Sequence, residues 1–363
     1  MSNPVVEFEK AFAVKIGSPY AIAVNSGTSA LHAALVACQV KGGEVIMPAL
    51  CPAMDAFAII HAGATPVFAD VDPKTGLITA ETIKAVYNET KTRAIITVHL
   101  HGLPCDMDPI MQFADRKNAA LWVIEDCAQS LLAKYKGKNA GTIGHFGCFS
   151  FEKKKHMTTG SEGGMIISND ATLAMRARKF AGIGYKHMTA EAGRTSLSAA
   201  TYQRPDYERF DTIGLNYRMC EAQAEIGLWK LAFINDVIER RQTIGLMWQH
   251  ALGVQCQPHD YDATNVFYSA AYDYKGDDWV GFYEQFCKQN GDGFYAMPKV
   301  PYQESALINY RKWWNLQGKE YGHECPIAEG LQKRLMLFKT HYKTIAHATR
   351  QVSILHDLIH VGA

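Results

Sequence analysis

Short apolar runs alternate with helix-period stretches through the first two thirds of the chain. Residues 20–24 form an apolar run that stops at Asn25-Ser26-Gly27-Thr28-Ser29, and a helical pattern follows with Leu31, Leu35 and Val36 on one face. The rhythm repeats, with strands expected over 45–47, 67–71, 93–98 and 120–124 and helices over 53–62, 79–89 and 109–116. Such alternation predicts an α/β fold with a mostly parallel sheet, its ligand at the carboxyl ends of the strands. Residues 149–165 read as a strand that ends in Lys153-Lys154-Lys155, a small-residue loop, and the start of a strand over 165–168.

Further on, a helix is expected over 171–180 and a long polar loop, rich in Gly and Tyr, over 182–211. Residues 220–252 are strongly helical, with Ala222, Ile226, Trp229 and Ile234 spaced for one apolar face. A strand over 270–274 and mostly helix over 328–358 complete the pattern. The expected division is a large domain over 1–250 and a small α+β domain over 251–363.

Composition narrows the partners. A chain of 363 residues with 48% hydrophobic residues can bury a large core. Its 37 Lys and Arg against 36 Asp and Glu give no excess of charge to attract nucleic acid or an anionic membrane, which points to a small-molecule partner. Nine cysteines without a Cys-x-x-Cys pair suit a reducing compartment, and no signal peptide or bilayer-length apolar run is present, so the cytoplasm is expected. His99-Leu100-His101 lies at a strand end without a ligand cluster, so no metal site is predicted. Neither a Gly-x-Ser-x-Gly elbow nor a Gly-x-Gly-x-x-Gly turn after a strand occurs.

Three features carry candidate chemistry. The turn at 25–29 aims a helix N-terminus either at an anion or simply at its own Ser and Thr caps. Asp126, just past the strand ending at Ile124, is a helix cap or a site residue. The lysines after Phe151 are a solvated turn or the source of an amine that forms an imine with a carbonyl cofactor. Together, an anion seat, a carboxylate and a lysine in that order are the parts a pyridoxal phosphate site needs.

Asn25-Ser26-Gly27-Thr28-Ser29-Ala30-Leu31-His32, Val123-Ile124-Glu125-Asp126-Cys127-Ala128-Gln129, the stretch 149–164 and Leu215-Asn216-Tyr217-Arg218-Met219 resemble, in order and spacing, the motifs of the DegT-type sugar aminotransferases. The resemblance runs over about 6–251 and implies the type I pyridoxal-phosphate transferase fold of aspartate aminotransferase. It implies Lys155 as the Schiff-base lysine, Asp126 at the pyridine nitrogen, Gln129 at the phenolic oxygen, and Gly27, Thr28 and Ser150 at the phosphate. Asn216 would reach the phosphate of a neighbouring subunit, which implies a homodimer with shared sites. The implied reaction moves an amino group from an amino acid, L-glutamate foremost, to a keto sugar on a nucleoside diphosphate, in amino-sugar biosynthesis for surface polysaccharide or a glycosylated metabolite. The alternatives are a sugar dehydratase of the same fold and a non-catalytic nucleotide-sugar-binding protein.

The chain departs from that pattern in places. Relatives usually carry some thirty more residues before the Phe-Glu-Lys segment at 8–10, so either an N-terminal arm is missing or its role is filled elsewhere; Pro52 stands where an aromatic ring commonly covers the cofactor, and Ser161 is extra after Gly160. Arg194 and Arg204 in the long loop are candidate contacts for the substrate diphosphate, with residues around 295–302 expected near the nucleotide.

Overall fold

The computed structural model describes residues 3–117, 121–195, 197–313 and 325–360, so Ala120, the expected start of the fifth strand, and 361–363 at the end of the expected small domain lie outside the described residues. Asn3 caps the first helix by accepting from the amides of Val5 and Val6, and Gly17, at φ 82°, ends it. In chain order follow α1 (Pro4–Ile16), β1 (Tyr20–Val24), α2 (Gly27–Ala37), β2 (Glu44–Pro48), α3 (Met54–His61), β3 (Thr65–Ala69), α4 (Ala80–Val86), β4 (Thr92–Val98), α5 (Met107–Asp115) and β5 (Trp122–Asp126). A small hairpin, β6 (Lys134–Tyr135) and β7 (Lys138–Asn139), precedes β8 (Phe146–Ser150), β9 (Gly164–Ser168) and α6 (Ala171–Ala181).

Seven of these strands form one sheet in the order β1-β9-β8-β5-β4-β2-β3. The pairs from β3 through β8 are parallel, and β9 runs antiparallel to both its neighbours, so β1 points the same way as β8. The carboxyl ends of β1, β2, β5 and β8 therefore share one edge. The middle strands are apolar on both faces, as Ile46, Ile95, Val123 and Ile124 show by being fully buried. Phe8 and Phe12 of α1 pack against Phe149 and Phe151, with ring centroids 5.2–5.6 Å apart, and this fixes where the lysine-bearing segment leaves the sheet.

Two expectations are corrected beyond the sheet. The helical stretch at 220–252 is two helices, α8 (Glu221–Ala232) and α9 (Ile234–Leu252), after a four-residue α7 (Ala199–Tyr202) inside the long loop. Ala222, Ile226 and Trp229 are exposed, whereas Ala224, Gly227 and Leu231 are buried, because α8 meets α1 at Gly227. The region 328–358 is mostly helix as expected, but a strand interrupts it. After β10 (Ala263–Thr264), β11 (Ser269–Asp273), α10 (Trp279–Lys288), β12 (Tyr295–Ala296), α11 (Ser305–Trp313) and α12 (Pro326–Arg334) comes β13 (Leu335–Lys339), and then α13 (Ile345–His360). The run Leu335-Met336-Leu337-Phe338 is drawn into a strand because β11 and β12 flank it on either side. Its Phe338 joins Trp248, Phe286 and Phe294 in a separate core. Helix α9 serves both bodies, with Ile234 and Ile238 in the core beside the main sheet and Ile244 and Trp248 in the second core.

A Cβ added at Gly227 would stand 2.7 Å from the Phe8 ring. Replacing Gly227 by Val should lower unfolding free energy by about 1–3 kcal/mol in urea, the usual effect of overpacking a filled interior. An unchanged midpoint would show that α1 and α8 can move apart.

Candidate active site

At the shared strand edge a cavity of about 740 Å³ gathers the ends of β1, β2, β5 and β8 with residues of β11, β12 and β13. Gly27, Thr28, Asp126, Gln129, Ser150 and Lys155 all line it, as does Pro52. Six of the nine distinct candidate residues are thus brought together. Asn216 is not among the lining residues; it is exposed, accepts from Arg218 Nε at 3.0 Å and bridges to Gly182. Arg194 and Arg204 are exposed too, engaged by Glu191 at 2.8 Å and Asp206 at 2.6 Å. The loop that carries them packs toward α1, where Arg194, Glu9 and Lys10 line a different surface cavity.

The anion seat is built by close approach. Ser26 caps α2, its Oγ accepting from the Ser29 amide at 3.1 Å, and Asn25 Oδ1 accepts from Ser29 Oγ at 2.6 Å. The capping side chains thus act behind Gly27 and Thr28, whose amides stand at the helix start. A Cβ on Gly27 would lie 2.8 Å from Ser150 Cβ, and one on Gly164 would lie 2.4 Å from the Ser26 carbonyl oxygen. Glycine is therefore what lets the helix start, Ser150 and β9 converge.

Asp126 Oδ1 accepts from the Ala128 amide at 2.8 Å, and Gln129 Oε1 from the His101 amide at 2.8 Å. Adjacent Glu125 points to the opposite side of β5 and is consumed structurally: it accepts from the amides of Gly141, Ile143 and Gly144 and from His99 Nε2. His99, Glu125 and Cys127 have metal-like spacing, but His99 Nδ1 accepts from the Cys105 amide, so Nε2 carries the hydrogen and offers no lone pair. His101, whose backbone is left-handed at φ 61°, gives its Nδ1 to Ser269, and burial pushes its pKa down to about 3.

Burial separates the three lysines. Lys153 and Lys154 are exposed at the mouth, whereas Lys155 is recessed, its Nζ 4.8 Å from the centre of the Tyr268 ring. Burial pushes the Lys155 ammonium below its ordinary value, and the charges of Asp126, Glu152 and Asp55 work against that shift. Burial pushes the Asp126 carboxyl upward, opposed by the Ala128 amide and by Lys155. Each charge favours the other in a dry place.

Several residues were not singled out by their sequence. Arg241, 4% exposed on α9, donates to the carbonyls of Lys155 at 3.0 Å, Lys154 at 3.2 Å and Tyr268 at 3.4 Å, and burial pushes its pKa to about 10. It sits at helical spacing between Ile238 and Ile244 on the buried face, and a charge in that position was the available signal. Asp55 in the first turn of α3 lines the cavity, buried beside Asp126. Tyr295, Ala296, Met297 and Pro298 line the outer wall as expected for 295–302, though Tyr302 does not and donates to Glu329 instead. Lys339 and His341 add to the mouth.

The architecture is that of the pyridoxal-phosphate-dependent transferases of the aspartate-aminotransferase fold. An aminotransferase from Psychrobacter cryohalolentis superposes with a TM-score of 0.85 at 30% identity, covering 99% of this chain and 92% of its own. The chain belongs to the DegT/DnrJ/EryC1/StrS aminotransferase family, whose model matches residues 1–270. Among named relatives, the GDP-perosamine synthase of Caulobacter vibrioides is 42% identical over 66% of this chain and 59% of its own length. The UDP-N-acetyl-3-dehydro-alpha-D-glucosamine 3-aminotransferase of Acidithiobacillus ferrooxidans is 38% identical over 88% of this chain and 79% of its own. The chain therefore spans less than two thirds of the first of these relatives.

Replacing Arg241 by Leu leaves three part-buried carbonyls without this donor. The variant should lose about 2 kcal/mol of stability or more by denaturant titration, since unsatisfied buried groups carry their desolvation cost.

Proposed function

We propose that the protein is a pyridoxal-phosphate-dependent aminotransferase that moves an amino group from an amino acid, L-glutamate foremost, to a keto sugar of a nucleoside-diphosphate sugar. The observation that carries this reading is the recessed amine of Lys155 sharing one cavity with Asp126 and the α2 N-terminus. The cradle at Gly27, too tight for a Cβ, and the buried Asp126 carboxyl fit a phosphate at one end and a ring nitrogen at the other. When bound, the cofactor supplies a carbonyl that condenses with amines and a ring that takes up electrons as a carbon-bound proton leaves. Gly27 and Thr28 amides and the Ser150 hydroxyl would hold the phosphate, Asp126 would keep the ring nitrogen protonated, and Gln129 would meet the phenolic oxygen. Lys155 carries the proton between carbon atoms, a task for which a lysine shifted below its ordinary value is suited. Pro52 would cover one face of the ring.

The relatives' printed names, a GDP-sugar synthase and a UDP-sugar aminotransferase, support a nucleotide-sugar substrate and a role in amino-sugar biosynthesis for surface polysaccharide or a glycosylated metabolite. So does the basic mouth, where no carboxylate among the described residues pairs with the Lys153 or Lys154 amine. We place the enzyme in the cytoplasm; no helix among the described residues is long and apolar enough to cross a membrane. A division into domains 1–250 and 251–363 is supported by the separate core around Phe338. A homodimer with Asn216 reaching the partner's cavity is supported by large apolar side chains left exposed on the segments either side of it, Ile213 at 98% exposure, Trp229 at 60% and Phe233 at 52%.

Four measurements test this. Lys155→Ala should abolish turnover and the visible band of the loaded enzyme, while Lys153→Ala and Lys154→Ala keep both; activity in Lys155→Ala removes the assignment. Replacing Lys153 and Lys154 together should raise KM for the nucleotide sugar about tenfold, roughly one charge-assisted contact. The pair Arg194→Ala and Arg204→Ala tests the loop as the alternative clamp, and an unchanged KM dismisses it. Light scattering should give twice the chain mass; a monomer with cofactor bound would refute the shared site.

A further inference from the structure

Asp55 stands in the first turn of α3 and is 1% exposed. It lines the same cavity as Lys155 and lies in hydrogen-bonding contact with the carboxyl of Asp126. Two carboxylates this close, both shut away from water, cannot both ionise, so the pair holds one proton. Its location follows from the partners. Asp126 accepts from the Ala128 amide at 2.8 Å, and of the two carboxyls it is the one more strongly coupled to the charge of Lys155. Asp55 Oδ1 has no hydrogen-bond partner among the described residues, and the amide that favours a charge on Asp55 is its own. Negative charge is better solvated on Asp126, and the proton belongs on Asp55. The other groups facing the pair do not change this. The thiols of Cys51, just after β2, and Cys148, on β8, are pushed far up by burial and stay neutral, and His99 gives its Nε2 hydrogen to Glu125.

We propose that Asp55 is a positioning residue whose O–H donates to Asp126, fixing that carboxylate in the plane in which it meets the ring nitrogen of the cofactor. The role rests on reading the cavity as a pyridoxal phosphate site. One hydrogen bond, from Ala128, leaves a carboxylate free to swing about it; a second from Asp55 removes that freedom. The same bond keeps Asp126 the charged member of the pair while the cavity is empty of cofactor.

Two substitutions separate donor from proton. Asp55→Asn retains a donor with no ionisable proton, and Asp55→Ala removes the donor. In cofactor-free protein with isotope-labelled aspartate, infrared difference spectra at neutral pH should show a protonated buried carboxyl in the wild type and none in either variant. Persistence of that band in Asp55→Asn places the proton elsewhere and overturns the assignment. The carboxyl of Asp55 is raised in the folded state, so the stability it contributes is full below the ordinary aspartate value of about 4 and is lost as pH rises toward the folded value. Wild-type stability should therefore fall relative to Asp55→Asn on raising pH above that value; parallel pH profiles contradict the proposal.

With cofactor, Asp55→Asn should bind it within about threefold of wild type and Asp55→Ala about tenfold more weakly, the scale of one charge-assisted hydrogen bond. The pH at which the visible band changes should move in the alanine variant and be restored in the asparagine one. An alanine variant with wild-type affinity and spectrum overturns the positioning role. If Asp55→Ala does not fold, the infrared and pH comparisons with Asp55→Asn still decide. Failure of the underlying reading looks different: a wild type that takes up no cofactor removes the transaminase and the role of Asp55 toward it, even where the infrared band is present.

Discussion

The site depends on holding a lysine amine and a carboxylate together at the edge of the sheet, out of bulk water but open to a ligand. Such a pair is unstable in isolation, because burial disfavours both charges. Here each partner's charge offsets part of the other's burial, and rigid main chain on both sides supplies the rest. On the Asp126 side this is β5 and the Ala128 amide. On the Lys155 side it is Arg241, which grips the carbonyls of Lys154 and Lys155 from a helix belonging to both cores.

The sheet topology explains why these groups meet. Strand β9 turns back between β8 and β1, so the chain leaves β8 at Ser150, forms the lysine loop, and returns beside β1 where Gly164 touches the Ser26 carbonyl. The start of α2 and the lysine loop are thus placed on adjacent strand ends by two glycine contacts. The second sheet then closes the cavity from outside, contributing Tyr268 beside β11, Tyr295 on β12 and Lys339 on β13.

Much of this was legible in the sequence, and the limits have physical causes. The alternation of strand and helix marked the parallel sheet because those strands are apolar on both faces and need no partner to be recognised. Gly27, Asp126, Gln129, Ser150 and Lys155 were readable because each stands at the end of a strand or within a few residues after it. Arg241 and Asp55 were not, since each sits within a helix and gains its meaning only from what packs on it across more than eighty or seventy positions of chain. β13 was not singled out within the mostly helical stretch because its five residues carry no alternation; both faces are covered, and a buried strand and a buried helix look alike over that length. The apolar face of α8 was misplaced for a related reason. Trp229 and Ile226 outweigh Ala224 and Gly227 in hydrophobicity, but the small residues are the ones that admit α1. The exposed face left over is the surface offered here to a second copy.

The central claim is that Lys155, and neither of the lysines beside it, is the amine that holds the cofactor. Loading the protein with pyridoxal phosphate, reducing it with borohydride and mapping the modified peptide by mass spectrometry tests this directly. The account predicts a phosphopyridoxyl group on Lys155 alone. Its appearance on Lys153, Lys154 or Lys339, or a protein that carries none, would contradict it.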